Sequence, residues 1–226
     1  MPHLVAEQLA RVRARVEAAC ARVGRPVDGV TLLAVSKEQP VERMREALAA
    51  GHTLFAESYA QELERKAREL AGTGASFHFI GHLQRNKAAR VLEVSALVHT
   101  VDRLALAEDL ARRQREGARR VPVLLEVNVG GELTKSGVSP SEVPRLLGAC
   151  VELGLMVRGL MAIPPPCERP EDARPFFSSL RRLRDELGGA EALPELSMGM
   201  SSDFEVAIEE GATLVRVGTA IFGDRR

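Results

Sequence analysis

The sequence predicts an α/β chain folded as one (β/α)8, or TIM, barrel with an extra helix at its amino end. Three observations predict it. Short apolar runs alternate with amphipathic helical patterns about eight times, the order that parallel strands with crossover helices produce. The length, 226 residues, lies near the ~250 typical of such barrels. No long linker or composition break interrupts the alternation, so residues 1–226 read as a single domain. A doubly wound open sheet shares the alternation, but it would more naturally carry a glycine-rich fingerprint after the first strand, and Ser36-Lys37-Glu38 is not one.

The elements follow in order. From His3 to Val23 the residues Leu4, Val5, Leu9, Val12, Val16, Ala19 and Val23 mark one face of an amphipathic helix, which Gly24-Arg25-Pro26 breaks. Val30 to Val35 is a mostly apolar run, too short for a globular helix and closed by Ser36-Lys37, as expected of a strand buried on both faces. Pro40 opens a helix that runs through Ala50 and stops at Gly51. Thr53–Ala56 is the second strand, and Glu57 to Leu70 reads as a helix rich in i,i+4 charge pairs such as Glu62–Lys66. Phe77–Ile80 is the third strand, before a helix from about Gln84 to Glu93. Leu97–Val101 is the fourth, with Asp102 expected to cap the next helix. Val121–Val127 and Met156–Ile163 are the fifth and sixth, separated by a helix from Pro140 to Leu153. Glu195–Ser197 is a short seventh strand, Asp203–Glu210 a helix, and Ala212–Val217 the eighth strand.

Bulk properties narrow the function classes. Lysine plus arginine equal aspartate plus glutamate at 31 each, which gives no general electrostatic argument for nucleic acid or an anionic membrane surface. No apolar run approaches transmembrane length, and the amino end lacks the apolar core of a signal peptide. Cys20, Cys150 and Cys167 are odd in number and have no paired spacing, so neither a disulfide framework nor a zinc site is expected. No pair of histidines stands at metal spacing, and no metal is predicted. A reduced, cytoplasmic protein is the expectation.

In a barrel the carboxyl ends of all strands open onto one face, where the chemistry sits. That rim collects Lys37, Glu57, Ser58, Gly81, His82, Asp102, Asn128 and Met161, then Ser197 to Asp203, and finally Arg216 to Thr219. A lysine held against an apolar strand end loses hydration, which frees its neutral amine for attack on a carbonyl. Alone, Lys37 reads more readily as a strand end meeting solvent. Barrels commonly bind phosphate between the loops after strands seven and eight. There Ser201, Ser202, Gly218 and Thr219 offer hydroxyls and bare backbone as neutral donors, and Ser201, Ser202 or Asp203 is also a natural helix cap. Arg216 lies within an apolar strand. Pointing inward it needs a partner, whereas pointing toward the helices it would pair with Glu209 or Glu210. A Schiff-base amine, a neutral phosphate nest and an inward arginine together point to pyridoxal phosphate. Glu126 would need a partner if turned inward, His82 is a weaker proton carrier, His78 and His99 read as core or solvent-face histidines rather than ligands, and Lys135 as a solvated lysine that an aldehyde could also reach.

Several stretches then carry a resemblance. They are Leu33 to Lys37, His78 to Lys87, Lys135-Ser136-Gly137, Arg158 to Pro164, Ser197 to Ser201 and Val215 to Gly223, in order along nearly the whole chain. The sequence resembles the pyridoxal phosphate homeostasis proteins, the YggS-like family related to the barrel domain of bacterial alanine racemase. The resemblance implies a fold-type III barrel with pyridoxal 5'-phosphate held by Lys37 as an aldimine. It implies that Ser201, Gly218 and Thr219 bind the phosphate and that Arg216 faces the pyridine nitrogen. One departure stands out: Phe55-Ala56-Glu57-Ser58-Tyr59 where the family usually reads Phe-Gly-Glu-Asn-Tyr, so Ser58 takes the place of an asparagine near the ring. The function implied is reversible holding and carriage of the cofactor, with apo-enzymes as acceptors and no turnover. The alternatives are an amino-acid racemase using Lys37 with Tyr59 or His82, and a Schiff-base aldolase, which leaves Arg216 without a role.

Overall fold

The computed structural model describes residues 3–132 and 135–223. Strands β1 (Thr31–Val35), β2 (Leu54–Glu57), β3 (Ser76–Phe79), β4 (Ser95–Val101), β5 (Val123–Glu126), β6 (Val157–Met161), β7 (Glu195–Ser197) and β8 (Leu214–Val217) close into one barrel. Each strand pairs in parallel with the next, and β8 returns to β1 with Leu33 opposite Arg216. The helices are α1 (His3–Arg22), α2 (Val41–Ala49), α3 (Ala60–Glu69), α4 (Ala88–Val94), α5 (Leu104–Arg115), α6 (Val143–Glu152), α7 (Arg174–Glu186), α8 (Gly189–Ala192), α9 (Phe204–Glu209) and α10 (Thr219–Phe222).

The period-two alternation of the strands sorts their side chains into two cores. Leu33, Ala56, Leu97, Leu124, Met161 and Leu214 fill the barrel interior, with Val35, Leu54 and Ile80 packed on them. A larger apolar layer, including Ala34, Phe55, Val98, Leu125, Val215 and Val217, lies between the barrel and the helices. This parity decides which polar residues face inward. Glu126 shares its strand face with Leu124, and Arg216 shares its face with Leu214.

Helix α1 buries Val5, Leu9, Val12, Val16 and Ala19 against α2, α9 and α10. Arg15 pairs with Glu205 and Arg22 with Glu209, both at 2.7 Å, and the Arg15 guanidinium lies 4.5 Å above the Phe204 ring. The extra helix therefore braces the two helices that begin at the loops after β7 and β8.

Two local expectations are corrected. Glu57 ends β2 rather than opening a helix, and α3 begins at Ala60. The expected Glu62–Lys66 pair forms at 2.7 Å, and the face of α3 that buries Leu63 turns Lys66 inward with no exposed surface. Asp102 does not cap α5, because Arg103 Nη1 donates to its Oδ1 at 2.5 Å and the helix start has no side-chain cap. Helix α7, with Phe177 and Leu180 buried one turn apart, fills the crossover between β6 and β7 that the strand pattern left blank.

Candidate functional site

At the end of β1 the Ser36 N–H donates to Ala56 O at 3.0 Å, carrying the sheet pairing one residue beyond the strand. Glu38 then adopts φ +62°, a left-handed conformation that costs a non-glycine residue about 1–2 kcal/mol. Its N–H donates to both carboxylate oxygens of Glu62, at 2.9 and 3.1 Å, which offsets that strain. Beneath the turn, Lys66 Nζ donates to Glu57 Oε1 at 2.8 Å and to Ser36 O at 2.5 Å, and lies 2.7 Å from Glu62 Oε1. Ser36 Oγ adds a 2.6 Å bond to Glu57 Oε1. Burial pushes the Glu57 carboxyl above its usual range, against the opposing pull of Lys66 and of the hydrogen bonds from Lys66 and Ser36. Lys37 thus stands on a turn clamped by a buried cation and two carboxylates.

The opposite wall comes from β7 and β8. Gly199 has φ +91°, and a Cβ there would lie 2.5 Å from Ala207 Cβ and 2.9 Å from Phe204 Cα, so the turn demands glycine. Asp203 Oδ1 accepts the Met200 N–H at 2.6 Å, bonding backward into the loop rather than forward into α9. Ser201 Oγ accepts the N–H of Gly218 at 3.2 Å and of Ala220 at 3.4 Å. Gly218 itself lies against β1, where a Cβ would sit 3.3 Å from Val35 O. The two loops therefore meet beside the strand that carries Lys37.

Arg216 points inward. Its Nη1 donates to Ser197 Oγ at 2.6 Å and its Nη2 to Ala162 O at 2.9 Å. Glu209 and Glu210, the partners it would have on the helix side, are engaged by Arg22, Arg174 and Arg181 instead. Burial pushes the guanidinium down to about 10, opposed by the charges of Asp203 and Glu126. Beyond Ser197, its Oγ is 2.9 Å from His99 Nδ1, and His99 Nε2 is 2.9 Å from His78 Nδ1. Burial lowers His78 to about 4, and burial with His78 and Arg216 nearby lowers His99 well below the usual range.

Lys37, Ser58, Ser201, Arg216, Gly218 and Thr219 all line one open cavity of about 300 Å³ on the carboxyl rim. Gln39, Ile80, Ile163 and Met200 are among the other residues of its walls. Ser58 is seated by a close approach, since a Cβ on Gly81 would come within 1.9 Å of Ser58 O. The donor set is one lysine, hydroxyls, backbone N–H groups and one arginine. It suits a ligand with a carbonyl at one end, a phosphate at the other and a lone-pair acceptor between, so the residues fit pyridoxal phosphate.

Other rim residues lie elsewhere. Tyr59 and His82 line a neighbouring cavity across Ser58, and His82 Nδ1 is 3.3 Å from Ser136 Oγ and 3.7 Å from Asp102 Oδ2. Lys135 pairs with Glu132 at 2.6 Å, donates to Pro164 O at 3.2 Å, and faces a third cavity with Cys167. Glu126 turns inward with its Oε2 buried and without a hydrogen-bond partner among the described residues. Burial and Asp102 push it up to about 7, against Arg216 and Arg103. Sequence reasoning missed Gln39, although it stands two residues from Lys37. It also missed the line from Arg216 to His78, whose signal was the inward parity of His78, His99 and Ser197.

An eight-stranded parallel barrel with a rim lysine after β1 and a cup of hydroxyls and backbone between β7 and β8 defines a TIM barrel with a lysine-bearing rim cavity. The family described as alanine racemase, N-terminal domain, matches residues 8–226. A pyridoxal phosphate homeostasis protein of Aquifex aeolicus is 47% identical over 223 residues, covering 97% of this chain and 98% of that one. One of Pseudomonas aeruginosa is 46% identical, covering 98% and 96%. The solved structure of PipY from Synechococcus elongatus PCC7942 with PLP bound superposes with a TM-score of 0.83 at 37% identity, covering 97% of this chain and all of that one. The chain belongs to the pyridoxal phosphate homeostasis proteins, within the alanine racemase N-terminal domain family.

Proposed function

We propose that this protein holds pyridoxal 5'-phosphate reversibly on Lys37 and serves its homeostasis, passing it to apo-enzymes and turning over no substrate of its own. The observation that carries this reading is the convergence of Lys37, Ser58, Ser201, Arg216, Gly218 and Thr219 on one cavity. When bound, the cofactor supplies an aldehyde that a lysine amine takes up and gives back. Lys37 presents that amine from its clamped turn. Ser201, Gly218 and Thr219 cradle the phosphate with neutral donors. Arg216, protonated and donor-only, gives a hydrogen bond to the ring nitrogen and discourages its protonation. A ring kept unprotonated is a poor electron sink, which disfavours transamination and decarboxylation. Ser58 leaves more room beside the ring than the asparagine usual in the family.

A racemase would need acid–base groups on both faces of a substrate. The titratable side chains that line the cavity are Lys37 and Arg216, while Tyr59 and His82 line the neighbouring one. That placement favours a carrier. A reducing cytoplasm suits three cysteines carried as free thiols. Among the described residues no helix is long and apolar enough to cross a membrane.

The test is addition of pyridoxal phosphate to the purified protein. A visible absorbance band and a borohydride-trapped adduct on Lys37 are expected, both lost in Lys37→Ala. Absence of the band would overturn the reading. Incubation with single amino-acid enantiomers should give no interconversion, and Lys37-dependent interconversion would shift the assignment to a racemase. Mixing the loaded protein with an apo-enzyme should restore that enzyme's activity.

A further inference from the structure

Beside Arg216 the barrel interior holds three polar side chains in a row that cofactor holding, as proposed above, leaves without a task. Ser197, His99 and His78 follow Arg216 in an unbroken line across β8, β7, β4 and β3, with links of 2.6, 2.9 and 2.9 Å, and all four side chains are buried. A guanidinium has donors and no acceptor, so Arg216 sets the direction of the first link. Ser197 Oγ accepts from Arg216 and keeps one proton to give. Its other neighbour within hydrogen-bond distance is His99 Nδ1, which therefore accepts. A neutral His99 then carries its proton on Nε2 and donates it to His78 Nδ1. His78 in turn carries its proton on Nε2. A proton added to His99 Nδ1 would face Ser197 Oγ and leave the serine proton without an acceptor inside the barrel, at the cost of an unmade buried bond. Reversing the line is barred at its arginine end.

We propose that Ser197, His99 and His78 are positioning residues for Arg216. They form a hydrogen-bond line of fixed polarity that holds both imidazoles neutral in the Nε2–H form and turns the guanidinium toward the cavity. Of its five N–H donors, the bonds to Ser197 Oγ and Ala162 O occupy two. The others are left for the cavity that Arg216 lines. Two anchors, one in β7 and one just past the end of β6, fix the guanidinium plane, so the donor that meets the ring nitrogen is aimed before any ligand arrives. This role rests on the cofactor reading of the cavity, but the line itself is a property of the free protein and is tested there.

Nitrogen-15 NMR of histidine-labelled, cofactor-free protein at neutral pH reads the tautomers directly. Nε2 protonated and Nδ1 bare on both His78 and His99 is the expected result. A protonated Nδ1 on either ring, neutral or cationic, would overturn the fixed polarity. Hydrogen exchange of the Arg216 guanidinium protons, also without cofactor, reads the anchoring. Ser197→Ala should speed that exchange about tenfold, as expected for one lost bond to a charged group, and release His99 into mixed tautomers. Unchanged exchange would refute the positioning role. Should Ser197→Ala fold poorly, His99→Leu removes the acceptor one link further on while keeping the Arg216–Ser197 bond, and should speed the exchange in the same direction by a smaller factor, unchanged exchange again refuting the role. In variants that bind pyridoxal phosphate, the visible band should shift while the borohydride adduct still forms on Lys37. A wild-type protein that takes up no cofactor would defeat the proposed function, yet the NMR and exchange results would still decide the line.

Discussion

Lys66 Nζ lies 2.8 Å from Glu57 Oε1, and neither side chain exposes any surface. Taking two ions out of water is costly, and removing one partner leaves the other charged and buried. Lys66→Met should therefore destabilise the protein by about 3–5 kcal/mol, read as a lower denaturant midpoint. Replacing both, as Lys66→Met with Glu57→Leu, should recover most of that loss. Lys66 also donates to Ser36 O, so the single variant should release bound cofactor faster as the turn under Lys37 loosens. A single variant as stable as the parent would remove the clamp from the account.

Glu126 makes the opposite kind of contribution. Its native pKa, raised to about 7 by burial and Asp102 against Arg216 and Arg103, exceeds the unfolded value. The native state then binds more protons than the unfolded chain between those two values, and stability falls as pH rises through that window. Glu126→Gln removes the penalty. The variant should be more stable than the parent by up to about 3 kcal/mol at pH 8, with the gap closing by pH 4. Equal urea midpoints at pH 8 would show the carboxyl to be solvated.

His78 and His99 titrate with the reverse sign. Their native values are depressed, His78 to about 4, so the neutral rings contribute stability that is intact above the unfolded pKa near 6.5 and is lost as pH falls toward 4. Between pH 6.5 and 4.5 the gain from protonating Glu126 offsets part of this loss. The acid limb of the stability curve should therefore be steeper in Glu126→Gln than in the parent. If it is equally steep or shallower, the two effects are not opposed as argued.

Sequence reasoning reached the barrel because alternation reports crossovers, and the rim because strand ends share one face. It placed Lys37, Ser201, Arg216, Gly218 and Thr219 in a common region, and the structure brings them with Ser58 to one cavity. What it could not show was depth. Glu62 and Lys66 have surface-pair spacing, and only the turn of α3 over the barrel shows that Lys66 is buried. Asp102 stood where a helix cap belongs and was drawn off by its neighbour Arg103. The line from Arg216 to His78 joins residues up to 138 positions apart, and only barrel closure brings them together.

Ser201 Oγ and the Gly218 N–H are 3.2 Å apart, and the cup they form is set by how closely Gly218 packs on Val35. A methyl at Gly218 would meet Val35 O at 3.3 Å and Val35 Cβ at 3.4 Å, a tight fit without left-handed strain. Gly218→Ala should thus push the loop outward by a few tenths of an ångström, with a stability loss of about 1 kcal/mol or less. Ser201→Ala removes a hydroxyl without moving the backbone. In the proposed binding mode both changes act on the phosphate end, far along the ligand from the amine of Lys37. They should therefore weaken pyridoxal phosphate about tenfold while leaving the affinity for pyridoxal, which lacks the phosphate, nearly unchanged. Lys37→Ala should weaken both ligands. Calorimetric titration with each ligand distinguishes these cases, since Lys37→Ala forms no absorbance band to follow. If Gly218→Ala and Ser201→Ala keep the full preference for the phosphorylated ligand, the phosphate does not bind between β7 and β8, and the cup loses its assignment.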